Sequence, residues 1–337
     1  MITHEEDEIH ESINAVDISN YPEIASSDPT FYDIDGNQSE FLTILKGHGV
    51  NTIRLRLWVN PINEHSSFEE VKLFSATLIA KGFKTWLTLH YSDTWADPGK
   101  QKTPNKWRDL DFTTLQDSVY SYTSKVVNEL KPDYIQVGNE INSGILHPTG
   151  DIATSKSNFI SLIKSGSQAI RDNTDHTKII LHFAGMEGAE WFFNQVNEID
   201  YDIIGLSYYP IWHGKSLSDL QKTLAALSSI HDKEIVIAET AYPFTLNWND
   251  WTNNIVGLEQ HLILPEYNDT PQAQQKILNA IRDAIEEIDG GIGFCYWGAE
   301  LISWKGTQST DASPWENQAL FDFDNKALPV LNAFNNR

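Results

Sequence analysis

Short runs of β-branched and aromatic residues recur along the chain, and longer segments with helical spacing of their apolar residues lie between them. The runs that predict strands are Asn14–Ser19, Asn51–Trp58, Lys84–Tyr91, Tyr134–Asn139, Lys178–Ala184, Ile203–Tyr208, Glu234–Glu239 and Gly291–Trp297. The segments that predict helices include Phe68–Lys81, Thr113–Leu130, Asn158–Arg171, Leu217–His231 and Pro271–Ile288. Eight strand–helix units without a break in composition indicate an α/β fold, a single-domain (β/α)8 TIM barrel over residues 13–337.

Two of the predicted strands end in a glutamate. The string Tyr134-Ile-Gln-Val-Gly-Asn139-Glu140 delivers an Asn–Glu pair, and Glu234-Ile-Val-Ile-Ala-Glu239 delivers a lone glutamate. A charge at the tip of a buried strand is costly unless it is paired or used in chemistry. Either glutamate alone is equally well explained as a salt-bridged strand end. Both together favour two carboxylates that converge at one end of the barrel, as hydrolysis of a glycosidic bond requires.

Other strand ends place polar and aromatic side chains at the same rim. Residues two apart on a strand share a face, so Arg54, Arg56 and Trp58 are expected to point the same way. The remaining rim candidates are His90, Asp93, Trp95, Tyr208, Trp212 and Trp297. Polar groups beside aromatic rings are typical of sugar binding. A structural ion pair stays an alternative for the arginines, and core packing stays one for His90, Tyr208 and the tryptophans other than Trp297.

Charge and composition narrow the class of ligand. The formal net charge is −23 and the pI is near 4.7, which argues against nucleic acid and against anionic membrane surfaces as partners. The 11 tryptophans are many for 337 residues and suggest stacking platforms in a cleft as well as core packing. A neutral substrate fits best.

Neither the single cysteine nor the N-terminal segment suggests a further functional group. The only cysteine, Cys295, lies in an apolar run and is expected to be a buried packing residue. No run of 18 apolar residues predicts a membrane span. Residues 1–12 are mostly polar and acidic, and we expect a poorly ordered N-terminus or linker there. We also expect an exported protein whose signal peptide is absent from this sequence, and a monomer.

Several long strings resemble one known family, glycoside hydrolase family 53, the arabinogalactan endo-β-1,4-galactanases. The matching blocks are Gly49-Val-Asn-Thr-Ile-Arg-Leu-Arg-Leu-Trp-Val-Asn-Pro61, His90-Tyr-Ser-Asp-Thr-Trp-Ala-Asp-Pro-Gly-Lys-Gln101, Gln136-Val-Gly-Asn-Glu-Ile-Asn-Ser-Gly144, Gly205-Leu-Ser-Tyr-Tyr-Pro-Ile-Trp-His-Gly214 and Ala238-Glu-Thr-Ala-Tyr-Pro243. The resemblance extends from about residue 13 to the C-terminus. It departs from the family pattern at His147, where a tryptophan is more usual, and after Trp297, where many relatives carry Glu-Pro.

The resemblance implies a retaining mechanism with Glu140 as acid/base and Glu239 as nucleophile. We expect Arg54 or Arg56 to hold Glu239 ionised and to keep its pKa low, and a like charge with apolar walls to raise the pKa of Glu140. Further expected roles are a 2-hydroxyl contact for Asn139, a hydrogen bond from Tyr208 to the nucleophile, hydroxyl contacts for His90 and Asp93, a sugar platform for Trp297, and flanking subsites for Trp58, Trp95 and Trp212.

The implied substrate is galactan, a neutral β-1,4-linked polysaccharide, and no organic cofactor is required. Some relatives bind calcium between the seventh and eighth loops, so a calcium site around Asp250 and Asn253 stays possible. Another retaining barrel glycanase, acting on mannan or xylan, is the alternative enzyme. A barrel that binds carbohydrate without cleaving it is the alternative outside catalysis.

Overall fold

Eight parallel strands close into a barrel in the computed structural model, which describes residues 12–335. The strands are β1 (Ile13–Asp17), β2 (Thr52–Leu57), β3 (Lys84–Leu89), β4 (Tyr134–Val137), β5 (Lys178–Ala184), β6 (Ile203–Ser207), β7 (Glu234–Thr240) and β8 (Gly291–Trp297). Neighbours in the chain are neighbours in the sheet, and β1 closes it by pairing with both β8 and β2. The predicted (β/α)8 barrel is confirmed. The N-terminal segment predicted over residues 1–12 lies outside the described residues except for Ser12.

Helices surround the barrel. They are α1 (Tyr21–Ala25), α2 (Phe41–Gly47), α3 (Phe68–Ala80), α4 (Phe112–Leu130), α5 (Ile152–Arg171), α6 (Ala189–Gln195), α7 (Pro210–His213), α8 (Leu217–His231) and α9 (Pro271–Glu286). The α5 segment begins earlier than the pattern predicts because it includes a first turn, capped by the Asp151 carboxylate, which a break at Ser155 (φ −144°, ψ 46°) separates from the rest of the helix. Within residues 12–335, no helix combines the length and the hydrophobicity that a membrane crossing needs.

The shorter elements are the ones that the pattern does not predict. The helices α1, α2, α6 and α7 have between four and seven residues, which is too short for a 3.6-residue repeat to stand out. Two small hairpin-like pairs join Phe31–Tyr32 to Gln38–Ser39 and Gly144–Ile145 to Gly150–Asp151. Short 3-10 turns occur at Asn105–Trp107, Ile141–Ser143, Glu259–His261, Glu316–Gln318 and Pro329–Phe334.

The barrel interior is apolar in its middle and polar at its mouth. The middle is filled by Ile13, Ala15, Trp86, Ile180, Ile203, Val236, Ala238 and Cys295. Cys295 is fully buried, as expected for a packing residue. Four buried polar side chains lie on the same strand faces, two or four residues further along. They are those of Asp17, His90, His182 and Ser207. The alternation of β-strand side chains therefore delivers these groups to one end of the barrel.

Strand β7 contains an extra residue near the mouth. Leu206 of β6 pairs with Ile237, but the next residue, Ser207, pairs with Glu239, so that Ala238 is bulged. Because Ala238 faces the barrel interior, strict alternation would turn Glu239 away from it. A β-bulge changes the direction of the side chains that follow, and here it turns Glu239 toward the mouth.

Candidate active site

A cleft of about 530 Å³ opens at the mouth of the barrel. Both predicted carboxylates line it, and one carboxyl oxygen of Glu140 lies within 4.8 Å of a carboxyl oxygen of Glu239. Of the other predicted residues, those that line the cleft are Arg54, Arg56, His90, Trp95, Asn139, Trp212 and Trp297. Trp58, Asp93 and Tyr208 do not line it. The sequence therefore identified the pair and most of its surroundings.

A strained turn at the end of β4 aims Asn139 and Glu140 into the cleft. Gly138 has a φ of +83°, and a Cβ atom there would lie 2.4 Å from Cγ2 of Ile141, so only glycine fits this position. Glu140 itself has a φ of +45°. Non-glycine residues rarely adopt this left-handed conformation, and such strain is common at functional sites. The turn presents two successive side chains to the same space, which a regular strand cannot do.

Arg54 and Tyr209 hold the carboxylate of Glu239 from two sides. The Arg54 guanidinium donates to Oε1 of Glu239 at 2.8 Å, and the Tyr209 hydroxyl donates to Oε2 at 3.0 Å. A second nitrogen of Arg54 pairs with Asp17 at 2.7 Å. Of the two arginines that were candidates for this ion pair, Arg54 is the one that makes it.

The predicted contact from Tyr208 to the nucleophile is wrong. The Tyr208 hydroxyl donates instead to the carbonyl of Gly214, and the ring is fully buried in the core around the barrel. The reason is alternation, since Ser207 at the end of β6 faces the mouth and the side chain two residues further along is that of Tyr209. Tyr209 has the role that was assigned to its neighbour.

Arg56 supports the aromatic wall of the cleft. Its guanidinium lies 3.9 Å from the ring centroid of Trp95 and 4.5 Å from that of Trp58, and it donates to the oxygens of Ser66 and Asn20. It makes no ion pair within residues 12–335. The predicted subsite contact for Trp58 is not supported, because Trp58 does not line the cleft, its ring packs edge-on against Trp95 and its indole N–H donates to His90.

His90 and Asp93 differ in their hydrogen-bond partners, and only His90 lines the cleft. Nδ1 of His90 accepts hydrogen bonds from the backbone N–H of Ala96 and the indole of Trp58, so the ring proton is on Nε2. Burial and the nearby arginines lower the pKa of His90 well below its usual value, which keeps the ring neutral. The Asp93 carboxylate accepts from the backbone N–H of Asn105 and so holds the following loop, rather than the predicted sugar hydroxyl.

The two carboxyl groups differ in their electrostatic surroundings. Burial, and then the charge of Glu239, raise the pKa of Glu140 to about 8. Burial also raises the pKa of Glu239, and the Arg54 cation opposes this rise without cancelling it, so the expected low pKa is not found. Only Glu239 has a cation in direct contact, and it is therefore the member of the pair that ionises first.

Four tryptophan rings in contact line the cleft beside the carboxylates. Trp297 lies between Trp95 and Trp315, with ring centroids 6.0 and 4.8 Å apart, and Trp315 also contacts Trp212. Trp95 and Trp212 are 37% and 54% exposed, so their faces are available to a ligand. Trp315 was not predicted because it belongs to an irregular loop, where no strand end marks it.

Other residues of the site also escaped the sequence analysis. Asp17, Gln136, His182 and Ser207 are buried and belong to its hydrogen-bond network. The signal that could have identified them is the same period of two that selected Arg54, because each lies on the inner face of its strand. Their hydrogen bonds could not be inferred from the pattern, since they depend on distances across the barrel.

The residues suggested for calcium, Asp250 and Asn253, lie in the loop that follows β7. Both carboxylate oxygens of Asp250 already accept hydrogen bonds, from the backbone of Thr252 and the hydroxyl of Ser303, and Asn253 is exposed. Within the described part of the chain, the atoms of Glu140, His182 and Glu239 are the one acidic or histidine group close enough together for a metal. Each of these three residues has hydrogen-bond partners in the protein, and Glu239 is also paired with the Arg54 cation.

Comparison with known proteins assigns the family. The model of glycosyl hydrolase family 53 matches residues 13–334. The chain belongs to this family. An arabinogalactan endo-β-1,4-galactanase of Cellvibrio japonicus is 34% identical over 335 residues, which cover 94% of this chain and 88% of that protein.

Solved structures agree with the family 53 assignment. The GH53 catalytic domain of Ignisphaera aggregans is 34% identical and superposes with a TM-score of 0.90, covering 99% of this chain and 98% of that one. A fungal β-1,4-galactanase structure is 26% identical, with a TM-score of 0.83 and a coverage of 95% and 98%. This family 53 chain is thus a glycoside hydrolase whose barrel matches its relatives over nearly the whole length.

The paired tyrosines of this family 53 hydrolase provide a matched test of the site. Tyr209→Phe should raise the pKa of Glu239 by about one unit, because the mutation removes a hydrogen-bond donor to the ionised carboxylate. Tyr208→Phe should leave that pKa unchanged. A ¹³C NMR titration of the glutamate carboxyl carbons measures both, and Glu239→Gln assigns the resonance. Equal titration curves for the two variants would contradict the assignment of Tyr209.

Proposed function

We propose that the protein is a retaining endo-β-1,4-galactanase that hydrolyses internal β-1,4-galactosidic bonds of galactan. The observation that carries the proposal is the separation of the carboxyl oxygens of Glu140 and Glu239, within 4.8 Å of one another at the mouth of the barrel. Retaining glycosidases hold their carboxyl groups about 5–5.5 Å apart, whereas inverting enzymes hold them about 6.5–9.5 Å apart. The short separation leaves no room for a water molecule between nucleophile and sugar.

The choice of galactan rests on the relatives and on charge. Family 53 proteins with about 30% identity are named arabinogalactan endo-β-1,4-galactanase or endo-β-1,4-galactanase. A net charge of −23 disfavours acidic polysaccharides, and galactan is neutral. The cleft adds exposed tryptophan faces, on which the C–H faces of a sugar stack.

In the first step, Glu239 attacks the anomeric carbon of the bound galactose. Arg54 and Tyr209 hold the carboxylate in place for the attack. Glu140, protonated because burial and the neighbouring charge favour its neutral form, gives its proton to the departing glycosidic oxygen. The product of this step is a galactosyl ester on Glu239 and a free chain with a new hydroxyl.

In the second step, water replaces the leaving chain. Glu140, now ionised, takes a proton from that water as it attacks the anomeric carbon, and Glu239 leaves as a carboxylate. Two inversions restore the original β configuration. Each residue thus ends the cycle in the protonation state in which it began.

The residues around the pair orient the sugar. The neutral His90 presents its Nε2–H toward the cleft as a hydrogen-bond donor for a hydroxyl, and Asn139 is held by Arg54 and Gln136 for a contact with the 2-hydroxyl. Trp297 supplies the platform under the reacting galactose, and Trp95 and Trp212 supply flanking contacts. We propose that no cofactor takes part. Because a polysaccharide does not enter cells, we also propose that the protein is exported.

Removing the nucleophile tests the catalytic pair. Glu239→Gln should lower the rate of galactan hydrolysis by several orders of magnitude while galactan binding persists, since the pair acts as a unit and little volume changes. Reducing-end release and affinity electrophoresis on linear galactan measure the two quantities. Glu64→Gln, which changes an exposed glutamate that does not line the cleft, is the control and should behave as wild type. Wild-type protein that binds galactan but never cleaves it would favour a purely binding barrel.

The stereochemistry of the first product tests the mechanism. Proton NMR recorded during the first minutes of galacto-oligosaccharide cleavage should show the β-anomer, which later equilibrates with the α-anomer. An α-anomer at the earliest times would require inversion and would remove the covalent intermediate. Parallel incubations with mannan and xylan test whether the enzyme acts on these alternative substrates. We expect no release of sugar from either.

The pH dependence tests the division of roles. The profile of kcat/KM should be a bell whose basic limb falls near pH 8, because activity is lost as Glu140 gives up its proton. Glu140→Ala should abolish the basic limb and retain most activity only on an aryl oligogalactoside with a good leaving group. Azide should restore the second step of that variant. If the variant slowed good and poor leaving groups equally and azide had no effect, another group would be the acid/base.

A further inference from the structure

A chain of buried hydrogen bonds runs beneath the acid/base and ends on one of its two oxygens. The Ser207 hydroxyl lies 2.6 Å from Oε1 of Glu140 and 2.8 Å from Nε2 of His182. Ser207 and His182 are 1% and 0% exposed, so water does not replace these contacts. The mechanism above uses neither residue.

The direction of this chain is fixed at its far end by Arg54. A guanidinium has only hydrogen-bond donors, so the amide atom of Gln136 that faces Arg54 at 3.2 Å must be the oxygen. The amide nitrogen of Gln136 then points the other way, and it lies 2.9 Å from Nδ1 of His182 and 3.0 Å from the carbonyl of Gly138. The orientation of the Gln136 side chain is thus determined by charge.

The tautomer of His182 follows. Nδ1 faces the amide nitrogen of Gln136 and, at 3.3 Å, the backbone N–H of Glu140, and both groups are donors. The one competing acceptor, the Asn139 side-chain oxygen at 3.3 Å, already accepts from the Arg54 guanidinium at 2.9 Å. Nδ1 is therefore unprotonated and the ring proton is on Nε2. Burial and the Arg54 cation lower the pKa of His182 well below its usual value, so the ring stays neutral.

A hydroxyl that receives a hydrogen bond on its oxygen has its own hydrogen free to donate. The Nε2–H of His182 donates to the oxygen of Ser207, and the Ser207 O–H therefore donates to Oε1 of Glu140. Because Oε1 already accepts the Ser207 hydrogen, a second proton on Oε1 would lie close to that hydrogen and be repelled by it. Oε2 of Glu140 has no hydrogen-bond partner within residues 12–335, and the side chain lines the cleft.

We propose that His182 and Ser207 are positioning residues that confine the catalytic proton of Glu140 to Oε2, the oxygen that reaches the glycosidic bond. The proposal rests on the proposed role of Glu140 as acid/base. A carboxylic acid with two equivalent oxygens would present its proton to the substrate only part of the time. The hydrogen bonds from Gln136 through His182 to Ser207 form a relay that removes this ambiguity. The relay also supplies the ionised form of Glu140 with one hydrogen-bond donor, which serves the second step.

The charged and titratable groups that face Glu140 must stay constant for the test to be clear. They are Arg54 on β2, Asp97 in the loop after β3, His182 on β5, Tyr209 after β6 and Glu239 on β7. Ser207→Ala changes none of them. It removes only the neutral hydroxyl between His182 and Glu140, so a change in pH dependence reports the relay itself.

Ser207→Ala should move the basic limb of kcat/KM upward by about one pH unit, because the ionised form of Glu140 loses its donor. The value of kcat/KM on galactan should fall about tenfold, whereas that on an aryl oligogalactoside with a good leaving group should not, since the latter needs no proton in the first step. Ser207→Thr should restore both, because it keeps the hydroxyl. The control is Ser75→Ala, which removes a buried α3 hydroxyl that has no hydrogen-bond partner among residues 12–335.

A second variant separates the two members of the relay. His182→Asn keeps an acceptor near the position of Nδ1 but removes the Nε2–H donor, so the Ser207 hydroxyl remains and loses its fixed direction. We expect an upward shift of the basic limb that is smaller than in Ser207→Ala, with the same dependence on leaving group. An unshifted limb in both variants, in protein that melts like wild type, would overturn the proposal.

The wild-type protein gives a test that needs no variant to fold. The ¹⁵N chemical shifts of His182 should identify a neutral ring protonated on Nε2 at all pH values at which the enzyme is active. A ring protonated on Nδ1 would reverse the relay and overturn the proposal. Failure of the proposed function is recognised separately, because then wild-type protein would not cleave galactan or Glu140→Ala would keep the basic limb, whatever the state of His182.

Discussion

The buried ion pair between Arg54 and two carboxylates is the interaction on which the site depends. Arg54 is 2% exposed and contacts Asp17 on β1 and Glu239 on β7. Burying three charges is expensive, and their attraction compensates for this only when the geometry is good and the remaining donors are satisfied. Removing the arginine would leave two uncompensated carboxylates inside the barrel, at a cost of about 3–5 kcal/mol. The same side chain therefore stabilises the fold at its mouth and favours the ionised form of Glu239.

The arginine also gives the two glutamates unequal surroundings. Glu239 receives a cation and a tyrosine hydroxyl, while Glu140 receives one serine hydroxyl. When two carboxyl groups lie this close, ionising both is unfavourable, and the proton goes to the one with the weaker support. The division into an ionised Glu239 and a protonated Glu140 is thus a property of their neighbours. It does not depend on any difference between the two side chains themselves.

The sequence predicted what depends on local pattern. Alternation along eight strands was enough to predict the barrel, and the strand ends identified Glu140, Glu239, Arg54 and His90 as neighbours at one rim. The choice between Arg54 and Arg56 was not available from the pattern, because both lie on the same strand face. It was decided by Asp17 and Glu239, which reach only one of the two guanidinium groups.

The errors have a common physical origin in the loops that follow the strands. The predicted strand β6 ended one residue too late, and this placed Tyr208 at the rim instead of Tyr209. Asp93 lies beyond the end of β3, where the chain no longer alternates, and its carboxylate caps a turn. The short helices and Trp315 also belong to irregular or brief segments. Sequence reasoning thus weakens where the backbone leaves its regular period.

The bulge at Ala238 has a consequence for how this barrel can vary. The strand face on which Glu239 lies is determined by the number of residues in β7, and its contacts with Arg54 and Tyr209 depend on that face. Loops at the mouth tolerate insertions and deletions, but loss of one residue from this strand would carry Glu239 to the opposite face of the sheet. The barrel would keep its aromatic cleft and its arginine, and so retain a surface for sugars. Within this architecture, a change of length by a single residue in β7 would separate the two carboxylates and leave the rest of the cleft in place.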